Sequence, residues 1–202
     1  MAVAQLPAIA KIVEARIGID PASYGQQSSL DLAATYGPAA HEMWSGEVLL
    51  AAMSERDGLT LQAFLNTLDG RKTPFGLRMP TTLLTHYVNL AGTLAAATTR
   101  QASTISLTAA AGTKVLQGTL LSIGSIDDAA YQVVEVIDEF TSGTAVTVTV
   151  APRIRTVIAS GTAVQIGNGV IGKFIIAADD IRTPTFTLDR TAPVLPLTEA
   201  LS

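Results

Sequence analysis

The sequence predicts a mainly β protein, in which a β-sandwich domain with one α-helix carries an inserted small β-barrel of the SH3 or OB type. Three observations support this fold class. Apolar and polar residues alternate in short runs near both ends of the chain. One stretch has the 3.6-residue apolar period of a helix, and the middle of the chain contains short β-branched runs at close spacing.

Strands are predicted first in the N-terminal part, at residues 11–19, 30–36 and 42–52, with a further short strand between Pro74 and Pro80. Successive residues of a strand point to opposite sides of the sheet. In the third of these strands Trp44, Val48 and Leu50 therefore share one face, which we expect to be buried.

A single amphipathic helix is predicted after the third strand. Its apolar residues recur at i, i+3, i+4 and i+7, and they are Leu61, Phe64, Leu65 and Leu68. We expect this face to pack the helix against the sheet. Thr60 is predicted to cap the start of the helix, because a hydroxyl there accepts a bond from a free backbone N–H.

The composition changes after residue 88. Residues 89–104, rich in Ala and Thr, are predicted to form a linker. Short strands then follow closely enough to suggest a small barrel, at residues 104–107, 119–123, 131–140, 145–150 and 163–166. Two more strands are predicted at residues 174–178 and 185–188, before a tail with several prolines.

The first and last segments each have too few strands for a core of their own. We therefore predict one sandwich domain from residues 1–88 plus 172–202, with residues 89–171 inserted as the barrel. At the second boundary Gly167, Gly169 and Gly172 have the spacing G-x-G-x-x-G. A dinucleotide site requires a helix after this motif. The β-branched run that follows predicts a strand instead, so we interpret these glycines as the corner where the chain leaves the barrel.

Composition excludes several classes of protein. The chain has no cysteine, so disulfides, thiolate metal sites and cysteine nucleophiles are impossible. Its apolar runs are too short to span a bilayer, and its start lacks the basic region of a secretory signal, so no membrane insertion is expected. The net charge of −4 is spread without long charge runs, which argues against a dedicated nucleic-acid surface. Charged residues make up 15%, a low share that suggests a surface covered by other protein.

No catalytic, cofactor or metal constellation is predicted. The two histidines, His41 and His86, stand in no zinc-binding frame. Adjacent carboxylates at residues 127–128, 138–139 and 179–180 are typical of solvated turns and faces. General acid–base catalysis would need carboxylates from different elements to converge, which one sequence cannot show. We therefore expect no enzymatic activity.

Two stretches resemble the distal tail proteins of long, flexible-tailed (siphovirus) phages. The first, "MWSGEVLLAAMSERDGLTLQAFLNTLDGRKTPFGLRMP", runs from Met43 to Pro80. It is similar to a family pattern in which a Trp-bearing strand leads into an amphipathic helix, an L-x-G-r-x-x-x-F turn and a short strand that ends at Pro. The second, from Val115 to Arg155, resembles the inserted barrel of that family.

The resemblance implies a structural, non-enzymatic virion protein that is assembled in the host cytoplasm. It would form a ring, most often a hexamer, that joins the tail tube protein to the tail-tip hub protein. The sandwich would build the ring, and the barrel would project outward as a docking site, with tail fibre or receptor-binding proteins as further partners. The alternative is a carbohydrate-binding module that uses Trp44, Tyr24 and Tyr36, which would need these aromatic residues on one exposed face.

An acidic stretch adds a hypothesis about the ring. From Ile17 to Glu55 the chain has no Lys or Arg but several carboxylates. If this is the hairpin that lines the tail channel in the resembling family, DNA would pass through the lumen without specific binding, because basic residues would be needed to displace its counterions. Candidate lumen-facing residues are Asp31, Glu42 and Glu47. The last two have opposite strand parity, so at most one faces the lumen in a regular strand, and a chance acidic stretch on an outer face is the alternative.

Overall fold

The computed structural model describes residues 3–20, 23–27, 34–38, 42–68, 73–80, 88–177 and 193–200. The elements before the barrel are β1 (Ala4–Gln5), β2 (Ile12–Asp20), β3 (Ser23–Gln27), β4 (Ala34–Pro38), β5 (Met43–Leu50), α1 (Glu55–Thr67) and β6 (Phe75–Arg78). Eight strands follow, namely β7 (Asn89–Leu94), β8 (Thr104–Ala109), β9 (Lys114–Val115), β10 (Leu120–Ile123), β11 (Gln132–Val136), β12 (Phe140–Thr141), β13 (Val146–Ala151) and β14 (Ala163–Gly167). The last two are β15 (Ile171–Ile176) and β16 (Val194–Glu199).

The predicted fold class is confirmed: the protein is mainly β, with one described helix and a closed small barrel. Six strands from the two ends of the chain form one sheet in the order β1-β6-β15-β16-β5-β2. All pairs in it are antiparallel except β1 with β6. The barrel strands are consecutive in sequence between β6 and β15, apart from a small additional pair, β9 with β12.

The barrel closes with six strands, in the order β10-β11-β13-β8-β7-β14. The prediction that residues 89–104 form a linker is wrong, because β7 lies there and pairs with both β14 and β8. The small residues of β7 have a structural reason, which is clearest at Gly92. A Cβ on this residue would lie 2.6 Å from the carbonyl oxygen of Thr108, so the close approach of β8 excludes any larger side chain.

Two other details differ from the sequence prediction, and a third cannot be compared. The single strand predicted at residues 131–140 is divided into β11 and β12. The proline-containing tail holds β16, a central strand of the sheet. Pro196 is tolerated there because its carbonyl accepts from the N–H of Ala177 at 3.0 Å, just beyond the end of β15, so its missing N–H faces the place where that strand stops. The strand predicted at residues 185–188 lies outside the described residues.

The helix α1 begins earlier than predicted. Ser54 is its N-cap, and its hydroxyl accepts from the N–H of Asp57 at 3.2 Å. Thr60 lies inside the helix, where its hydroxyl donates to the carbonyl of Arg56. The predicted cap was wrong because the helix already starts after Ser54, whose hydroxyl accepts the free N–H of Asp57.

The inner face of the six-stranded sheet packs against both α1 and the barrel. Leu61, Leu65 and Leu68 of the helix segment are buried in this core, and Phe64 is half-buried against it. The ring of Phe64 meets that of Phe75 edge to face, with centroids 6.0 Å apart. The barrel contributes Leu120, Tyr131 and Val133 to the same core and has a second core inside its own wall.

Candidate functional site at the junction of sheet and barrel

A two-stranded ribbon extends from the edge of the six-stranded sheet. It consists of β3 and β4, which directly follow β2 and precede β5. The last sheet pair is Asp20 with Met43, and the first ribbon pair is Ser23 with Pro38. Within the described residues β3 and β4 pair only with each other, and in sequence they lie between the paired strands β2 and β5. The sequence analysis predicts no strand between residues 19 and 30, so β3 was missed.

The two candidate lumen-facing residues that the structure describes, Glu42 and Glu47, lie in different surroundings. Asp31 lies outside the described residues. Glu47 is on the outer face of β5, directly opposite Arg16 of β2, and the two side chains form an ion pair of 3.5 Å. Glu42 precedes β5, and its carboxylate accepts from the backbone N–H of Arg153 in the barrel at 3.2 Å. Each described glutamate therefore has a basic residue or its backbone beside it.

The most constrained polar contact joins the sheet to the barrel. Arg155 of the barrel donates through both terminal nitrogens to the carboxylate of Glu199 in β16. The side chains are only 13% and 6% exposed, respectively. Glu199 also accepts from the backbone N–H of Trp44 at 3.0 Å, and Arg155 donates to the carbonyl of Glu42 at 3.3 Å. We call Glu42, Trp44, Arg155 and Glu199 the junction cluster.

Apolar packing surrounds the junction cluster. Trp44 is buried, and its indole N–H donates to the carbonyl of Val133 in β11 at 2.9 Å. Strands β10 and β11 are buried on both sides, with Val134 and Leu121 in the barrel core, and Val133 and Leu120 against the sheet. A burial of this kind on both faces makes the junction a rigid contact rather than a flexible tether.

Tyr131 lies in the same contact and donates its hydroxyl to the carbonyl of Ile171, at the start of β15. Burial raises the pKa of Tyr131 to about 12, and the nearby Glu199 carboxylate acts in the same direction, while a hydrogen bond with Ser122 opposes them. The hydroxyl therefore stays protonated over the whole neutral range and acts as a donor that ties the barrel to the sheet.

The glycines of the G-x-G-x-x-G spacing lie at the second crossing between barrel and sheet. Gly167 ends β14 with φ of +81°, and Gly172 lies within β15, so a strand follows the motif, as predicted. The N–H of Asn168 donates to the carbonyl of Val88 at 2.8 Å, which links the two places where the chain passes between sheet and barrel. Arg78 closes this corner by donating to the carbonyl and side-chain oxygens of Asn168.

Other sequence candidates are not brought together in the structure. His41 and His86 lie outside the described residues, as do the side chains of Tyr24 and Tyr36. Trp44 is buried and therefore offers no exposed face for a sugar, so the carbohydrate-binding alternative lacks its central residue. In the part of the chain that the structure describes, no group of three or more His, Asp and Glu residues is placed to hold a metal ion.

Two of the three predicted carboxylate pairs, at residues 127–128 and 138–139, include members with polar partners, and the pair at residues 179–180 lies outside the described residues. Asp128 accepts from the N–H of Ser125, and Asp127 accepts from the N–H of Val3 at 2.7 Å. Glu139 forms an exposed ion pair with Lys114.

Sequence reasoning missed the junction cluster. Arg155 and Glu199 are 44 positions apart, and neither belongs to a recognisable motif. One signal was present: the runs "TLLSI" and "YQVVEV" are nearly continuous in apolar residues, which is typical of strands buried on both faces. They indicate that the outer face of these barrel strands is covered, but they do not show which part of the chain covers it.

No protein-family model matches this sequence, and a search of curated proteins finds no significant match. The described part of the chain contains no helix long and apolar enough to cross a membrane.

Proposed function

We propose that this chain is a structural virion protein that forms a closed ring at the distal end of a long, flexible phage tail. The ring, most simply a hexamer, joins the tail tube protein to the tail-tip hub protein. The barrel is the platform on which tail fibre or receptor-binding proteins dock. The chain has no catalytic role in this proposal.

The ribbon is the observation that supports a ring. An isolated two-stranded ribbon is only marginally stable in water, and β3 and β4 have no other described strand beside them. The sheet edge at β2 is also unpaired within the described residues. Neighbouring copies arranged head to tail around a closed ring would support both features in every subunit.

The mass of the particle in solution tests the ring. We expect a single closed oligomer, alone or together with its tail neighbours, by light scattering and native mass spectrometry. Replacing residues 23–38 by a short Gly/Ser turn should abolish the oligomer, while circular dichroism still reports a folded β protein. A protein that stays monomeric with its tail neighbours, or an oligomer that survives this deletion, would contradict the proposal.

A change of charge at Glu47 tests the proposed role in DNA passage. Glu47 is 50% exposed and on the outer face, so Glu47→Lys adds positive charge without disturbing the core. We expect assembled tails with this variant to eject DNA more slowly, because it removes a carboxylate that pairs with Arg16 and adds a cation, so that this face would attract phosphates. Glu55→Lys, at the start of α1 on the other side of the sheet, is the matched control and should leave ejection unchanged. Equal ejection rates for both variants would place Glu47 outside the lumen.

A further inference from the structure

A cleft lies at the edge of the six-stranded sheet where β1 ends. β1 pairs with β6 only at residues 75 and 76. The chain then turns, and the carbonyl of Pro7 accepts from the N–H of Ala10 at 2.9 Å. The space beyond β1 has a volume of about 410 Å³, which is within the range of ligand sites. Its walls come from the turn and from β2, β6 and β15, and its larger apolar residues are Leu6, Pro7, Ile12, Leu77 and Ile171.

The backbone of Arg78 is open towards this cleft. In an antiparallel pair, alternate residues of a strand bond to the neighbouring strand, and the residues between them point the other way. Met79 donates to Val170 on the β15 side at 3.0 Å. The carbonyl of Gly76 accepts from Leu6 on the β1 side at 2.9 Å. Arg78 has the parity of Gly76, so its N–H and C=O point to the place beyond the end of β1, where no described residue bonds to them.

The side chain of Arg78 is held beside the same cleft. Its Nε and one terminal nitrogen donate to the carbonyl and side-chain oxygens of Asn168, at 2.7 to 3.1 Å. These bonds restrict the guanidinium, and they leave its other terminal nitrogen without an acceptor among the described residues. Arg78 is also the only charged residue among the described residues that line the cleft. The charge of the cleft therefore favours an anionic ligand.

We propose that this cleft binds the C-terminal end of an extended polypeptide from a partner protein. The terminal carboxylate accepts from the free nitrogen of the Arg78 guanidinium, and the last peptide groups bond to the backbone of the same residue. The apolar walls contact the last side chains. A chain terminus fits better than a long strand, because Pro80 has no N–H and follows two residues later, so the open edge is short. The site does not depend on ring formation, so it is tested independently of the ring.

The probe is a pool of tripeptides of Ala, Val and Leu that carry a neutral fluorophore at the N-terminus and a free carboxylate at the C-terminus. We expect fluorescence anisotropy to show saturable binding to the full chain, and hydrogen exchange to show new protection at the amide of Arg78. The same pool with C-terminal amides should bind about tenfold more weakly, because the charge-assisted bond is lost. Sodium hexanoate tests whether a small carboxylate is enough, and we expect it not to displace the pool at equal concentration.

Three variants test the location of the site. Arg78→Met should weaken binding of the free-acid pool about tenfold and remove the difference between the acid and amide pools. Arg100→Met removes the same charge from the exposed loop between β7 and β8, so it is the matched control and should leave the affinity unchanged. Ala8→Trp changes an exposed residue of the cleft wall and leaves Arg78 in place, and it should block the cleft.

Three results with the unmodified protein would overturn the proposal: no saturable binding of the acid pool, equal affinity for the acid and amide pools, or displacement of the pool by hexanoate at equal concentration. The last result would assign the cleft to small carboxylates. Equal losses for Arg78→Met and Arg100→Met would also contradict it. If Arg78→Met does not fold, Ala8→Trp decides, and undiminished binding to that variant would place the site elsewhere.

Discussion

The barrel and the six-stranded sheet differ in how they close their strand edges and bury their apolar cores. In the barrel every strand has two partners, so no edge is left open, and the core is formed by side chains of residues 88–166. The sheet is open, and its outermost described strands are β1 and β2. Its core includes Leu120, Tyr131 and Val133, which belong to the barrel. The barrel is therefore complete without the sheet, whereas the sheet relies on the barrel to cover its inner face.

This one-sided dependence changes how the domain division is understood. The sequence predicts residues 89–171 as an inserted unit that leaves a self-sufficient sandwich behind, and that division remains a prediction. Two boundary residues already show how the parts interlock: Val88 packs in the barrel core, and Ile171 begins β15 of the sheet. An inserted domain can be continuous in sequence and still be part of the core of its host.

The strongest test of this dependence is to separate the barrel from the sheet. A fragment of residues 88–169 should fold alone and unfold cooperatively. The complementary chain, in which a short Gly/Ser bridge replaces those residues, should lose its fold because Trp44 becomes exposed and Glu199 loses its partner. Hydrogen exchange on both products provides the measurement. A protected, native-like sheet without the barrel would show that the dependence does not exist.

The next largest loss of stability is expected at the helix face that packs against the sheet. Leu61 is fully buried, so Leu61→Ala should lower the free energy of unfolding by about 2–5 kcal/mol. Phe64 is only half-buried, and Phe64→Ala should cost roughly 2 kcal/mol, less than for a fully buried ring. Leu59, 56% exposed on the same helix, is the control and should change stability by under about 0.5 kcal/mol. Equal losses at Leu59 and Leu61 in denaturant titrations would contradict this packing.

The packing at the point where the chain passes from the barrel to the sheet can be tested by comparing two glycines. Gly167 and Gly161 both have φ of +81°, but only Gly167 has no room for a Cβ, which would collide with the carbonyl oxygen of Val88. Gly167→Ala should therefore destabilise by roughly 3 kcal/mol. At Gly161, where the space is open, Ala should cost only the backbone term, about 1 kcal/mol. Similar losses at both sites by thermal unfolding would mean that the crossing is not tightly packed.

The contact that Tyr131 makes with the sheet also predicts that the stability of the fold depends on pH. The pKa of Tyr131 is raised to about 12 by burial, so the folded protein holds this proton more tightly than the unfolded chain does. Its contribution is complete below the ordinary tyrosine pKa of about 10 and is lost as the pH rises towards 12, a loss of about 2–3 kcal/mol. Tyr131→Phe should remove this part of the alkaline decline in stability. An identical decline in the variant would show that Tyr131 titrates normally.

The smallest effect is local to the helix start. Ser54→Ala removes the acceptor for the N–H of Asp57 and should cost about 1 kcal/mol. Thr60→Ala, inside the helix, should be nearly neutral because Ala has the higher helix propensity. Circular dichroism melts of the two variants distinguish the caps. A larger loss for Thr60 would restore the cap that the sequence predicts.

Local patterns in the sequence were enough for most strands and for the helix. The alternation in β5 predicts which side is buried, and Trp44, Val48 and Leu50 are indeed the inward residues. Patterns failed where a strand needs small or unusual residues for a reason that lies elsewhere in the chain. β7 resembles a linker because Gly92 must admit the backbone of β8, and β16 resembles a tail because Pro196 fits only where a neighbouring strand ends.

Residue type and local period were enough to predict the β class, the one helix among the described residues, the run of barrel strands and the absence of cysteine chemistry. Tertiary contacts are needed to show that β10 and β11 cover the sheet, that Arg155 meets Glu199, and that Glu42 accepts from the backbone of Arg153. The two polar contacts join residues that are 44 and 111 positions apart. A local pattern shows that a side chain will be buried, but the partner it is buried against is fixed only when the chain closes on itself.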